Sequence, residues 1–308
     1  MTSVDLITGF LGAGKTTFIK RYAGFLQAGG ERIAVIENEF GMAGVDADIL
    51  ENGNLQVSQL VGGCICCTQK VNFHQRLLDM AREGIQRILV EPSGIYNADE
   101  FMDIMESPDI KKRCVIGAVI TILDPEQVQE LPPEIERLEY SQLSHTGAVV
   151  VSKTGGMGFE ERERVKAAAL ALQKRACAGT AEDKVPVFTK PWEELTQEDF
   201  SLLSSCGYQG GRAKGLRTDH SKLFNSTTLQ AFCLDENDLK RRLEQIMSGC
   251  CGKILRVKGC ASGKDGCLYR INCTQSRITI EKAGDGRAEL NIIGMGLKRQ
   301  EIKRHFAC

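Results

Sequence analysis

The sequence predicts an α/β chain: a P-loop nucleotide-binding domain on a mostly parallel, doubly wound sheet, followed by a small α+β domain. Three observations carry that expectation. Gly9-Phe10-Leu11-Gly12-Ala13-Gly14-Lys15-Thr16-Thr17 matches G-x-x-x-x-G-K-[ST], with an apolar run before it and a helical pattern after it. Apolar, β-branched runs then alternate with helical patterns up to about residue 190. Beyond residue 222 that alternation gives way to closely spaced short strands with a helix among them and a basic helix at the end.

Residues 4–7 read as a short buried strand and 18–27 as an amphipathic helix. Between them the glycines let backbone N–H groups turn inward around phosphate oxygens, and the helix N-terminus adds its positive dipole end. Gly9, Gly12, Ala13, Gly14, Lys15, Thr16 and Thr17 make up this cradle. Lys15 is placed to reach the β- and γ-phosphates, and the Thr16 hydroxyl to bind Mg²⁺. The ligand these residues imply is a nucleoside triphosphate.

Residues 32–36 form a second strand that empties into Glu37-Asn38-Glu39-Phe40-Gly41, a polar loop at a strand's carboxyl end, where α/β folds bind ligands. Glu37, Glu39 and Asp46 gather there; a solvated acidic turn would show the same spacing. Next comes Gly62-Gly63-Cys64-Ile65-Cys66-Cys67. Three thiols in four residues can converge on one soft or borderline cation, Zn²⁺ or Cu⁺ rather than Mg²⁺ or Ca²⁺. A closed structural zinc site uses four protein ligands, so three imply an open position that suits a metal that must leave. A redox-active or merely reactive cysteine cluster is the other reading.

Residues 71–82 have helical apolar spacing, and their lone His74 reads as a surface or packed residue rather than a ligand. Residues 87–94 are an apolar strand ending in Glu91-Pro92-Ser93-Gly94. That is a Walker-B-like arrangement, in which Glu91 can hold Mg²⁺ or its water and Gly94 can meet the γ-phosphate. Residues 115–123 and 148–151 read as buried strands, the second leading into Ser152-Lys153-Thr154-Gly155. A charged helix over 159–175 and a short strand at 185–188 complete a first domain at 1–200. Over 201–222 the pattern dissolves into Ser, Gly and basic residues, a linker. The second domain, 223–308, reads as a strand (223–234), a helix (236–247), a meander (253–258, 267–273, 277–282, 289–293) and a basic helix (297–306).

Composition narrows the partners. Among 308 residues, 39 Lys+Arg against 40 Asp+Glu leave a formal net charge of −1, so nothing points to nucleic acid or a membrane surface. A strand beginning at residue 4 leaves no room for a leader, and no apolar run approaches the roughly twenty residues of a membrane helix. The expected location is cytoplasmic. Thirteen cysteines, an odd number and clustered, argue for metal or redox chemistry rather than a disulfide framework.

In order, G-F-L-G-A-G-K-T-T, E-N-E-F-G, G-G-C-I-C-C and E-P-S-G resemble the motifs of the CobW-type P-loop GTPases. Those proteins are related to the urease and hydrogenase nickel-insertion GTPases and act as metallochaperones. The second half is similar too: Leu255-Arg256-Val257-Lys258-Gly259 matches the family's R-x-K-G strand, and Ile292-Ile293-Gly294 its I-G-x-x-L ending. The resemblance implies GTP and Mg²⁺ as cofactors and a zinc-, cobalt- or nickel-like cargo. It puts the phosphates on Gly12 to Thr17, and Mg²⁺ under Thr16 with Glu91 or Asp46. Lys15, Glu91 and Asp46 become the catalytic set, and Ser152 and Lys153 stand at the base-reading loop. Cys64, Cys66 and Cys67 take the transition metal, with Glu37 as helper. A client metalloprotein or metalloenzyme and a nucleotide-dependent dimer are the implied partners. The chain offers no obvious arginine finger, so hydrolysis is expected to be slow without a client.

Two departures stand out. The family's N-K-x-D loop is here Ser152-Lys153-Thr154-Gly155, and losing the bidentate Asp weakens guanine discrimination by about 1–3 kcal/mol or more, which opens the site to ATP. Met42 stands where many members carry an acid, giving a softer neighbourhood to the metal. Separately, Cys250 and Cys251 with Cys260 and Cys267 could form a second thiolate site outside the family pattern; small buried hydrophobes are the plainer reading. The second domain is expected to dock the client. The expected function is a nucleotide-dependent metallochaperone that delivers a metal on hydrolysis. The alternative is a nucleotide-driven activase of a cobalamin or other metalloenzyme, using the thiols for redox or docking. A small-molecule kinase ranks last, for want of an acceptor site.

Overall fold

The computed structural model describes residues 1–37, 55–59, 70–128, 133–177, 185–210, 224–230, 234–275, 277–284 and 286–306. They fall into two compact units, the first holding the described residues up to 210 and the second those from 224 onward.

The first unit runs β1 (Thr2–Thr8), α1 (Lys15–Ala28), β2 (Ile33–Glu37), β3 (Leu55–Gln59), α2 (Lys70–Arg82) and β4 (Arg87–Glu91). It continues with α3 (Ala98–Met105), α4 (Pro108–Lys111), β5 (Cys114–Leu123), α5 (Pro133–Ser144), β6 (Ala148–Val151), α6 (Phe159–Ala176), β7 (Val187–Phe188) and α7 (Gln197–Ser204). Every described strand pair is parallel, in the order β3-β2-β4-β1-β5-β6-β7. Successive side chains on a strand point to opposite faces, and here both faces are apolar. Val4, Leu6, Ala34, Ile36, Ile88 and Val90 meet α2 and α3, which contribute Phe73, Leu77 and Phe101. Ile7, Ile33, Val35, Leu89 and Ile120 meet α1 and α7 through Phe18, Tyr22, Phe200 and Leu203. Burial on both faces is why these strands read as unbroken apolar runs.

One acid interrupts them. Asp5 is fully buried, and its carboxylate accepts from Arg87 Nη1 (2.8 Å), Tyr22 Oη (2.8 Å) and the Ala118 N–H (2.9 Å). The β1–β5 register shifts between Val4 and Leu6, the residues on either side of it. A Cβ on Gly117 would lie 2.2 Å from Asp5 Oδ1, so glycine is required there. Burial pushes the Asp5 carboxyl up from its ordinary value, and the Arg87 guanidinium with these hydrogen bonds pulls it part of the way back.

The structure extends the first unit past residue 200. Helix α7 runs through Ser204, with a capping box in which Thr196 and Asp199 satisfy each other's backbone N–H groups. The Val119 N–H then donates to Gly207 O (2.9 Å), and the Gln209 N–H to His145 O (3.0 Å). Residues 201–210, read from sequence as the start of a linker, therefore belong to the first unit. A short helix ending in a Ser/Gly stretch hid that attachment.

The second unit comprises β8 (Asn225–Gln230), α8 (Glu236–Gln245), β9 (Lys253–Ser262), β10 (Leu268–Thr274), β11 (Ile278–Ala283), β12 (Glu289–Met295) and α9 (Arg299–Phe306). Its strands form an antiparallel sheet in the order β11-β10-β9-β12-β8. Leu239 and Leu243 of α8 and Ile302 and Phe306 of α9 share one core with Val257, Ile271, Leu290 and Ile292 of the sheet. Cys273 is fully buried in it, as the small-hydrophobe reading expects, and Cys251 is buried there too.

Candidate nucleotide and metal site

The loop between β1 and α1 takes the shape the motif demands. Gly9, Gly12 and Gly14 have φ of 139°, 78° and 100°, a region that only glycine enters without strain. Lys15 is 5% exposed, and its ammonium donates to Gly9 O (2.9 Å) and Phe10 O (3.2 Å), so the charge is held inside the loop. Ala13 is buried and its N–H closes a turn onto Phe10 O, while Thr17 faces solvent.

Thr16, in the first turn of α1, donates from Oγ1 to Glu91 Oε1 at 2.8 Å. The hydroxyl and the carboxylate named for Mg²⁺ are thus in direct contact, though 75 residues apart in sequence. Glu91 closes β4, and its register partner on β2 is Glu37. Both acids are buried, at 9% and 3% exposure, at the carboxyl edge of the sheet. Gly94 follows, packed on the phosphate loop: a Cβ there would lie 2.5 Å from Leu11 N and 2.7 Å from Leu11 Cα.

After β6, Ser152 donates its N–H (2.8 Å) and hydroxyl (3.2 Å) to Leu123 O. Lys153 has φ 57° and pairs with Asp124 at the end of β5. A Cβ on Gly155 would meet no atom within 4 Å, so the loop has room for a side chain at that position.

The structure also brings in a residue that motif reading passed over. Trp192, the chain's single tryptophan, lies with its ring 2.7 Å from where a Gly14 Cβ would stand and packs edge-on to Phe18, with centroids 6.0 Å apart. Only a lone aromatic before α7 marked it in sequence. Glu39, Asp46, Cys64, Cys66 and Cys67 lie outside the described residues.

Two family models match the chain: "CobW/HypB/UreG, nucleotide-binding domain" over residues 3–178, and "Cobalamin synthesis protein cobW C-terminal domain" over residues 226–308. The chain belongs to the CobW/HypB/UreG family. It is 32% identical over 196 residues to the zinc chaperone CobW of Pseudomonas aeruginosa, covering 53% of this chain and 52% of that one. With the zinc chaperone YjiA of Escherichia coli it shares 25% identity over 270 residues, 83% of this chain and 80% of the other. The match thus spans about half the length of the first relative. The crystal structure of Zn(II)-bound YjiA GTPase from E. coli aligns over 99% of this chain and 98% of that chain, with 20% identity and a TM-score of 0.42.

In this CobW-family chain Cys250, Cys251, Cys260 and Cys267 do not gather into the four-thiol site that the sequence left open. Cys260 stands on β9 opposite Arg270 and Glu289, and Cys267 sits in the β9–β10 turn, where its N–H donates to Asp265. Cys250 and Cys251 instead meet His305 of α9. An extended β9 carries Cys260 away from the turn that holds the pair, which sequence proximity could not reveal.

Proposed function

We propose that the chain is a nucleotide-dependent metallochaperone. It binds Mg²⁺–GTP at the phosphate loop and a Zn²⁺-class ion at Cys64, Cys66 and Cys67 with help from Glu37, and hands that ion to a client metalloprotein on hydrolysis. The observation that supports it best is the pairing of Glu37 with Glu91. Strands in a sheet lie about 4.8 Å apart, so the cargo's carboxylate helper and the carboxylate touching Thr16 are neighbours on one edge. Charges that close, in a water-poor setting, interact strongly. A change in the ion held by Thr16 and Glu91 would therefore be felt at Glu37, and through it by the cargo. Coupling of this kind is reciprocal: nucleotide changes metal affinity, and metal changes nucleotide affinity by the same factor.

In this reading Lys15 neutralises the β/γ-phosphates, and the backbone N–H groups from Gly12 to Thr17 cradle them. Mg²⁺, when bound, supplies charge neutralisation on the transferred phosphoryl group. Glu91 and Thr16 would hold it, with Asp46 a further candidate. Ser152 and Lys153 line the base-binding loop, and the empty space at Gly155 supports loose selection between GTP and ATP. A cytoplasmic location and docking of the client by the second unit complete the proposal; among the described residues no helix is long and apolar enough to cross a membrane.

The test is an anaerobic competition titration of reduced protein with Zn²⁺, in Mg²⁺–GTP, Mg²⁺–GDP, Mg²⁺–ATP or no nucleotide. Tighter uptake with GTP than with GDP is expected. Cys66→Ser should remove the nucleotide-dependent component while leaving GTP binding, followed by Trp192 fluorescence, nearly intact. Zinc affinity indifferent to nucleotide would overturn the coupling and favour the activase.

A further inference from the structure

Among the described residues, the metal-ligating side chains that converge are Cys250, Cys251 and His305, whose ligand atoms all lie within 4.8 Å of one another. The two Sγ atoms are 3.5 Å apart, and Cys250 Sγ is 3.7 Å from His305 Nε2. With Zn–S near 2.3 Å and Zn–N near 2.0–2.1 Å, a tetrahedral ion holds its sulfurs about 3.8 Å apart and its S···N pair about 3.6 Å apart. The two separations that Cys250 makes are close to edges of that tetrahedron, and the third, from Cys251 Sγ to the imidazole, lies within 4.8 Å. Thiol packing in a core would not require an imidazole nitrogen on the third corner.

The backbone explains how adjacent cysteines reach one point. Residues Ile246–Cys250 form a π-type turn at the end of α8, with Gly249 at φ 99° inside it and Gly252 at φ 98° beyond. Two left-handed glycines thus fall within four residues, and β9 starts at Lys253. Cys251 points into the core while Cys250 stays exposed. From the other side, the Lys298 N–H donates to Cys251 O (3.0 Å) and Lys298 Nζ to Cys250 O (3.4 Å), tying the start of α9 to the turn. Arg242 Nη1 donates to His305 O and secures its end.

We propose that Cys250 Sγ, Cys251 Sγ and His305 Nε2 form a second site, for a borderline divalent cation of the Zn²⁺ class, with a fourth position open to solvent or to a ligand from a partner. Two thiolates and one imidazole are a donor set that suits Zn²⁺ and disfavours Mg²⁺ and Ca²⁺. Two thiolate charges balance the ion, with the Lys298 cation alongside. The proposal does not depend on the role proposed for Cys64, Cys66 and Cys67. It would clamp α9 to the helix–strand turn, closing 55 residues of chain, and would add metal-dependent stability to the second unit.

The experiment uses the full-length chain with Cys64→Ser, Cys66→Ser and Cys67→Ser, reduced and anaerobic, titrated with Co²⁺. One equivalent should bind with a sulfur-to-cobalt charge-transfer band and tetrahedral d–d bands, and Zn²⁺ should displace it. Adding Cys250→Ser should abolish the charge-transfer band. His305→Gln should weaken Co²⁺ binding at least tenfold, as much as the loss of outer-shell partners costs elsewhere. Neither Cys250 nor His305 is fully buried, so both variants should keep their circular dichroism. No thiolate–cobalt band in the background protein would overturn the site. A band that survives both substitutions unchanged would place the ion on other thiols and overturn it equally.

Discussion

Thr16 Oγ1 donates to Glu91 Oε1 across 2.8 Å, joining the first turn of α1 to the last residue of β4. The hydrogen bond sets a hydroxyl and a carboxylate on the same spot, an arrangement suited to an octahedral, oxygen-loving ion. Glu91→Gln keeps the shape and can still hydrogen-bond Thr16, but removes the charge. It should leave GTP binding in EDTA nearly unchanged, while hydrolysis and the gain in affinity on adding Mg²⁺ each fall by about tenfold or more. Mg²⁺-dependent GTP titration and phosphate release measure both; unchanged Mg²⁺ dependence would remove Glu91 from the site.

Gly94 presses on the phosphate loop, and the nearest atoms to an added Cβ are backbone. Gly94→Ala therefore cannot be absorbed by a side-chain rotation. It should cost about 1–3 kcal/mol of stability, as overpacking does, and weaken GTP binding because Leu11 must move. Thermal melting and Trp192 fluorescence titration give the two readings. A wild-type melting temperature together with wild-type affinity would show that the contact is soft.

Gly155 offers the reverse case, open space where a carboxylate would fit. Gly155→Asp should fold normally and raise the preference for GTP over ATP by about 1–3 kcal/mol, through a charged acceptor for the guanine edge. Competition of GTP and ATP for the site decides it, and an unaltered ratio would mean that base selection lies elsewhere.

Glu139 on α5 is 1% exposed, and among the described residues neither carboxylate oxygen has a hydrogen-bond partner. Burial, with the nearby Glu136 charge adding to it, pushes its carboxyl up to about 8 from an ordinary 4.5. A raised folded-state value means the native state holds a proton that the unfolded chain has lost. The stability it contributes is full below pH 4.5 and is lost as pH rises towards 8. Glu139→Gln should therefore flatten that decline and stabilise the protein at pH 8 by up to a few kcal/mol. Denaturant midpoints at pH 5 and pH 8 test it; parallel losses in both proteins would show that Glu139 is solvated.

Much of the chain was legible in advance because its signals are local. A phosphate loop is a contiguous run of glycines, a lysine and threonines, and its strand and helix follow from apolar spacing on either side. β2, β4, β5 and β6 are buried on both faces, so composition alone exposed them. The family motifs read from the sequence agree with the matched domains over residues 3–178 and 226–308. By contrast, β3, α3, α5 and α7 are short or carry mixed patterns, and their place depends on the faces they cover.

What only the tertiary structure decided is which distant residues meet. Asp5 was visible as an acid inside an apolar strand, but its partner Arg87, 82 residues away, follows from the β1–β4 pairing. The same pairing logic sets Glu37 beside Glu91, a consequence of strand order that no spacing encodes. Cys250 and Cys251 announced themselves as a pair, whereas His305 joined them only when α9 packed back across the sheet. Local sequence specifies elements because propensity and periodicity act over a few residues. Contacts between elements are settled by burying apolar faces together, and chemistry that needs groups from two elements is fixed at that step.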